Sequence, residues 1–448
     1  MSRSTELRGV ASRFLTHYGM AGVLALLCAY YSWATLKEQQ PRGEAAARSL
    51  AGWVKNSLHK NSNVLIVAKT TDEDRLFADT LEAELKGGGY TVAGKVLGDP
   101  RAARVELKRI SETGAPLPLI ATTTECAAWT VFENLSEKFP QFGKVEVRCA
   151  PSYRWPTFLK SENILNVANQ IVIVAIIAVG MTMVIITGGI DLSVGSLIAL
   201  AAVLAALLIR DFGGGEQASA GTLILCSAAG IIACGIVGFC SGVLVAIFKL
   251  PAFIATLGMM LIASGLAYIL SNSNSINAIP DSYTWLGVGR GFFSLPHAVV
   301  LMLLIYAAAH VLMSRTTLGR YIYAVGGNSE AARLAGVRVN AVLLFAYTIS
   351  GLAAGLGGIL MASQFKSASP QYGAAYELNV IAAVVVGGTS LSGGEGKIFG
   401  TLIGGFIIAV VQNGMNLTSV NTHMQKVVLG AIIIGAVLLD RAKKLLAK

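Results

Sequence analysis

Long uncharged apolar runs separated by short polar connections fill most of this 448-residue chain. A helix needs about 20 predominantly apolar residues to cross roughly 30 Å of hydrocarbon. Runs of that kind begin at Tyr18, Ile164, Leu192, Gln217, Leu250, Gly291, Val339, Leu378, Ile398 and Val427. The last reaches only Leu439, so it needs Lys426 to snorkel and residues 423–425 to complete it. The pattern predicts an α-helical polytopic membrane protein with about ten transmembrane helices.

Between the first and second runs the period changes. Residues 63–69, 90–98, 116–123 and 143–149 read as strands, and residues 72–86, 101–113 and 125–138 as helices. Strands alternating with helices of this length imply right-handed crossovers and a parallel sheet. Segment 37–155 is therefore expected to be an inserted, extracytoplasmic α/β domain, four-stranded, parallel and half the size of a doubly wound fold. It divides a first helix (1–36) from a domain of nine further spans (156–448). Ligands of such sheets sit at the carboxyl ends of strands, which nominates residues 69–74 and 122–125, although the same polar residues also suit helix N-caps.

Composition sharpens this division. Residues 37–162 hold 34 charged side chains in 126 residues, whereas the other 322 hold 26, and the whole chain has a mean hydropathy of +0.63. The net charge of +10 could suggest nucleic acid, but its placement argues for orientation in a membrane. With a cytoplasmic N-terminus, thirteen basic residues fall inside: Arg3, Arg8, Arg13, Lys249, Arg315, Arg320, Arg333, Arg338, Lys397, Arg441, Lys443, Lys444 and Lys448. Only Arg210, Arg290, Lys366 and Lys426 fall on short outside loops. This bias satisfies the positive-inside rule with both termini cytoplasmic and residues 37–163 outside an inner membrane. A cleaved signal peptide ending near Ser32-Trp33-Ala34 is the alternative for the first run.

The six cysteines form no CxxC pair and accompany no histidine cluster, so neither a metal nor a cofactor is expected. Cys126 and Cys149 both follow strand ends on one edge of the expected sheet and could pair as a disulfide. Two segments share GG-x-x-L-S-x-G. Gly188, Gly189, Asp191 and Ser193 belong to GGIDLSVG, and Gly387, Gly388 and Ser392 to GGTSLSGG. Repeated broken helices mark a translocation pathway, with chance similarity of glycine-rich stretches as the alternative. Asp191 can cap a helix starting at Leu192 or bind substrate. Asn169, Asn379 and Asn413, with Asn166, Gln170, Gln412 and Asn416, could serve a polyol or join helices to one another. The basic segment 315–339 contains a short helix capped by Asn328 or Ser329, with Glu330, Arg333 and Leu334 in it and Gly336 at its end. Anionic lipid headgroups could hold this loop.

Residues 156–196, PTFLKSENILNVANQIVIVAIIAVGMTMVIITGGIDLSVGS, resemble the permease subunits of bacterial ABC sugar importers of the ribose, xylose and galactoside type. The likeness continues through LPAFIATLGMM (250–260), LGRYIYAVGGNSEAARLAGV (318–337) and YELNVIAAVVVGGTSLSGGEGKIFGTLIGG (376–405). It covers roughly two thirds of the chain; the insertion has no counterpart in it. The resemblance implies that Asn328, Glu330, Arg333, Leu334 and Gly336 form the helix that couples the permease to separate cytoplasmic ABC ATPase subunits. It further implies a homodimer, an extracytoplasmic solute-binding protein and membrane lipid as partners, with no nucleic acid and no catalysis in this chain. LSGGE at 391–395 looks like an ATPase signature, yet no GxxxxGK[ST] phosphate loop exists, because Lys397 is followed by Ile398. A membrane sensor with an outside ligand domain and an ion-coupled carrier are the rival functions. For the insertion, a sugar-binding lobe, a docking platform and an envelope spacer compete.

Overall fold

The computed structural model describes residues 3–291 and 294–446, with side chains for 19–291 and 294–438. The charges expected inside at Arg3, Arg8, Arg13, Arg441, Lys443, Lys444 and Lys448 lie outside the described side chains. The chain divides into two units, one of Met1–Thr35 with Thr157–Lys448 and one of Leu36–Pro156. The first opens with α1 (Arg3–Ala34).

The second unit starts and closes on an antiparallel ribbon, β1 (Leu36–Gln39) against β6 (Tyr153–Pro156), with Leu36 opposite Pro156. Between them run α2 (Gly43–Ser57), β2 (Asn63–Ala68), α3 (Asp72–Gly87), β3 (Thr91–Leu97), α4 (Pro100–Glu112), β4 (Leu119–Thr122), α5 (Thr124–Ala127), α6 (Leu135–Lys138) and β5 (Glu146–Arg148). The sheet order is β3-β2-β4-β5, every pair parallel. Central strand β2 is buried on both faces, as parallel strands require. Val64 and Ile66 pack with Leu50, Phe77 and Leu81 of α2 and α3, while Leu65 and Val67 pack with Leu107, Leu117 and Phe142. Helix α2 was not expected, although Ala46, Ala47, Leu50, Ala51 and Val54 give it a buried face at helical spacing. The single helix expected over 125–138 is instead two short helices around a tight turn at Thr130–Phe132. Asn134 takes a left-handed φ of 53°, which interrupts the helix and lets Phe132, Leu135 and Phe142 enter one core.

The first unit continues with α7 (Ser161–Ile186), α8 (Val194–Asp211), α9 (Ala220–Ala246), α10 (Ala252–Leu270), α11 (His297–Arg315), α12 (Thr317–Gly327), α13 (Ser329–Leu334), α14 (Val339–Phe365), α15 (Tyr376–Val386), α16 (Ile398–Leu417) and α17 (Thr422–Leu446). Among the described residues seven helices are long and apolar enough to cross a membrane: α7, α8, α9, α10, α11, α14 and α16. Three more apolar stretches are shorter, Gly19–Ala34, Tyr376–Val386 and Thr422–Leu438. At 1.5 Å per residue α15 is only about 16 Å long, half the hydrocarbon thickness. The run beginning at Leu378 thus continues in sequence after its helix has ended.

Helix α7 is the hub. Residues from Ile171 to Ile186 are buried along its whole circumference, so its uniformly apolar pattern follows from being surrounded. Helices α9 and α14 approach through small residues: a Cβ on Gly238 would stand 3.0 Å from Gly351 Cα, and one on Gly355 2.9 Å from Ile231 Cα. Helices in lipid gain little from burying apolar side chains, so close backbone packing of this kind holds them together.

Candidate functional site

Segment 315–339, expected as a loop around one short helix, contains two. Thr316 accepts the Gly319 N–H at 3.2 Å and starts α12. Asn328 is the cap of α13, its Oδ1 accepting the Ala331 N–H at 2.9 Å. The far end closes as a Schellman turn, with Gly336 N–H to Arg333 O at 3.0 Å and Val337 N–H to Ala332 O at 3.0 Å. Gly336 sits at φ 86°, which a side-chain-bearing residue rarely adopts. Glu330 and Arg333 form a 2.8 Å ion pair with both side chains about 70% exposed (71% and 67%), and Leu334 is 83% exposed. Three side chains and a rigid backbone are thus presented outward on a helix fixed at both ends.

Both glycine-rich segments break their helices in the same way. Helix α7 ends with Gly188 N–H to Ile185 O at 2.9 Å and Gly189 N–H to Val184 O at 3.0 Å. Helix α15 ends with Gly388 N–H to Val385 O at 2.9 Å and Thr389 N–H to Val384 O at 3.1 Å. The left-handed residue is the first glycine in one segment and the second in the other, Gly188 at φ 83° and Gly388 at 89°. Beyond the turn, Ser193 N–H donates to Asp191 Oδ1 at 3.0 Å and Ser392 N–H to Ser390 Oγ at 3.3 Å, so the two segments regain their sequence register there.

Asp191 does not cap a helix starting at Leu192, because α8 begins at Val194 with Ser193 at its cap. The fully buried carboxylate instead accepts Ser193 Oγ at 2.6 Å on Oδ1 and Ser350 Oγ of α14 at 2.7 Å on Oδ2. It ties the break to the middle of a neighbouring helix. The freed carbonyl of Ile190 is approached by Thr256 Oγ1 at 3.3 Å and Tyr347 Oη at 3.5 Å. Irregular backbone at membrane depth survives only where protein satisfies its polar groups in this manner.

Helix α12 joins the capped helix to both breaks. Gly394 N–H donates to Ile186 O at 2.8 Å, linking the second segment to the end of α7. Gly326, one residue from the end of α12, lies in the same contact: a Cβ there would overlap Ile186 O and stand 2.6 Å from Gly394 N. Tyr323 Oη, one turn earlier, donates to Gly396 O at 2.8 Å. Neither Gly326 nor Tyr323 was singled out in the sequence, where both stand within the stretch LGRYIYAVGGNSEAARLAGV.

The asparagines do not form one cluster of ligands. Asn413 exchanges two amide bonds with Asn163, at 3.0 and 2.9 Å, which join α16 to α7. Asn416 accepts from Gln425 at 2.8 Å. Asn379 is partly buried in the first turn of α15, and Asn169 leaves its Oδ1 buried without a partner among the described residues. In the α/β unit, Cys126 and Cys149 are both free thiols, so the expected disulfide is not formed. Cys126, within α5, is wholly buried while Cys149 is partly exposed. At the carboxyl ends of β2 and β4 a crevice of about 240 Å³ is lined by Arg42, Thr71, Asp74, Thr123 and Glu125 among others. Lys69 bonds Glu125 at 2.6 Å beside it, which holds the Glu125 carboxyl below its ordinary range and pushes Lys69 up. Thr71 is an N-cap, accepting Asp74 N–H at 3.2 Å.

Residues 163–437, more than half of the chain, match the family described as branched-chain amino acid transport system / permease component. The ribose import permease protein RbsC of Escherichia coli (strain K12) is 42% identical over 293 residues, covering 64% of this chain and 88% of the relative. The galactose/methyl galactoside import permease protein MglC of Salmonella typhimurium is 37% identical over 303 residues, 64% and 89%. The L-arabinose ABC transporter permease protein AraH of Azospirillum brasilense is 34% identical over 289 residues, 64% and 83%. No solved structure matches the chain.

Proposed function

The chain belongs to the family of permease components of the branched-chain amino acid transport type, and from that membership we propose how its parts drive import. It is the transmembrane permease subunit of an ATP-driven sugar importer of the ribose and galactoside kind, a multi-pass inner-membrane protein; ATP is hydrolysed on a separate subunit, and a solute-binding protein delivers the sugar. The sensor and ion-coupled carrier readings give way to this one.

The observation that carries the mechanism is the contact of Gly326 with Ile186 O and Gly394 N. In our reading α13, with Asn328, Glu330, Arg333, Leu334 and Gly336, docks on the ATPase. Closure of the ATPase moves α13 and, through α12, both helix breaks at once, switching the pathway between its outward and inward forms. We propose ten membrane-embedded helices, on the strength of the ten apolar runs, with cytoplasmic termini and an outside α/β unit, on the strength of the bias of basic residues. We propose a homodimer in contact with membrane lipid, and an insertion that serves binding-protein docking. Substituting Glu330 and Arg333 together tests this directly. The variant should remain in the membrane while losing stimulation of ATP hydrolysis by sugar-loaded binding protein; intact stimulation would overturn the role of α13.

A further inference from the structure

A second cavity, of about 500 Å³, lies within the helical unit where α8, α10 and the chain entering α15 meet. Its polar wall is Ser196 on α8, Ser264 and Tyr268 on α10, Gln371 before α15 and Glu377 in the first turn of α15. Glu377 is set against the amino end of α8, where a Cβ on Gly195 would overlap its Oε2. Glycine at 195 is what lets the carboxylate come so close. Among the described residues, the side chains of Ser196, Ser264, Tyr268 and Gln371 hydrogen-bond to no other residue, and Glu377 forms no ion pair. Ser196, Ser264 and Glu377 are partly buried and Tyr268 and Gln371 exposed, so all five are open to a ligand, and a concave site with a few convergent polar groups is the usual form of a small-molecule site.

The chemistry of the wall discriminates between ligands. No Lys, Arg or His lines the cavity, so the carboxylate of an amino acid would find no cationic partner there. The amino end of α8, which would otherwise favour an anion, already faces Glu377. Hydroxyl groups suit every member of the set: they donate to a carboxylate, and they exchange donor and acceptor roles with serine and amide groups. The cavity is also coupled to the breaks, because α8 follows the first break directly and α15 runs directly into the second.

We infer that this cavity is a polyol site on the transport path, in which Glu377 accepts neighbouring hydroxyls of a neutral monosaccharide while Gln371, Ser196 and Ser264 complete its hydrogen bonds. The inference rests on the permease reading and adds the residues that hold the sugar. Its test is maleimide labelling of a Ser264→Cys variant of the full chain in lipid nanodiscs, read at that residue by peptide mass spectrometry. Ribose, galactose or L-arabinose should slow labelling at least twofold, leucine should not, and adding Glu377→Gln should remove the protection. If that double variant fails to insert, Gln371→Ala takes its place with the same expectation. Absence of protection by all three sugars, protection by leucine, or protection that survives both Glu377→Gln and Gln371→Ala would overturn the site. Failure of the permease reading itself is seen separately, as no ATP-dependent uptake of any of the three sugars by the unaltered chain.

Discussion

Replacing Gly326 with alanine puts a methyl group where three backbones already meet. The new Cβ would overlap Ile186 O and stand 2.6 Å from Gly394 N, against a comfortable separation of about 3.5 Å. Relief requires a movement of about 1 Å or more, which breaks the 2.8 Å bond from Gly394 N–H to Ile186 O. A buried backbone bond left unmade costs about 1–3 kcal/mol, and overpacking adds about 1–3 kcal/mol. Gly327 is the internal control, because a Cβ there meets nothing within 4 Å, and alanine in a helix is favoured over glycine by roughly 0.5–1 kcal/mol. Both variants are to be compared for thermal unfolding in detergent and for stimulation of the partner ATPase by loaded binding protein. Gly326→Ala should melt earlier and lose stimulation, whereas Gly327→Ala should melt no earlier than the unaltered chain. If the two variants behave alike, the contact does not link α12 to the breaks.

Asp191→Ala should destabilise the helical unit by roughly 3 kcal/mol or more, since it strands Ser193 and Ser350 in a buried site; Asp191→Asn should cost less, and melting curves of the two would rank them. Asn328→Ala removes the α13 cap at a cost of about 1 kcal/mol, so it should weaken ATPase stimulation while leaving global melting within a degree or two of the unaltered chain. In the α/β unit, Glu82 is held below the ordinary carboxylate range by hydrogen bonds from Lys86 and Lys95, and Glu125 by Lys69. A depressed folded-state value contributes stability that is present above the ordinary value of 4.5 and is lost as pH falls through the folded values. Limited proteolysis of the intact protein should therefore cut this unit faster at pH 3.5 than at pH 7, and Glu82→Gln with Glu125→Gln should flatten the difference.

What could be read along the chain depended on which forces act locally. Helix ends at Gly188 and Gly388 were visible because left-handed backbone favours glycine, and the α13 cap was visible because Asn328 stands before an acidic first turn. Helix α12 was hidden: it is 11 residues long, carries Arg320 and ends in two glycines, so neither apolar length nor turn chemistry marks it. The role of Gly326 depends on Ile186 and Gly394, residues far away in sequence, and no local pattern encodes such an approach. Glu377 was overlooked because an acid bordering an apolar run looks like the run's edge; the cavity it lines forms only once α8 and α10 are folded beside it. Asn413 could not be decided along the chain, since an amide in a span is equally suited to ligand and to a second amide, and Asn163, 250 residues away, bonds it in the fold.

The central claim is that nucleotide hydrolysis on one subunit drives sugar through this one. Proteoliposomes holding the chain with its ATPase, given sugar-loaded binding protein outside and ATP at the ATPase face, measure that directly. Labelled ribose, galactose or L-arabinose should accumulate only with ATP present, and the Glu330 and Arg333 double substitution should abolish the accumulation. Uptake driven by a proton gradient without ATP, or unaffected by that double substitution, would contradict the account.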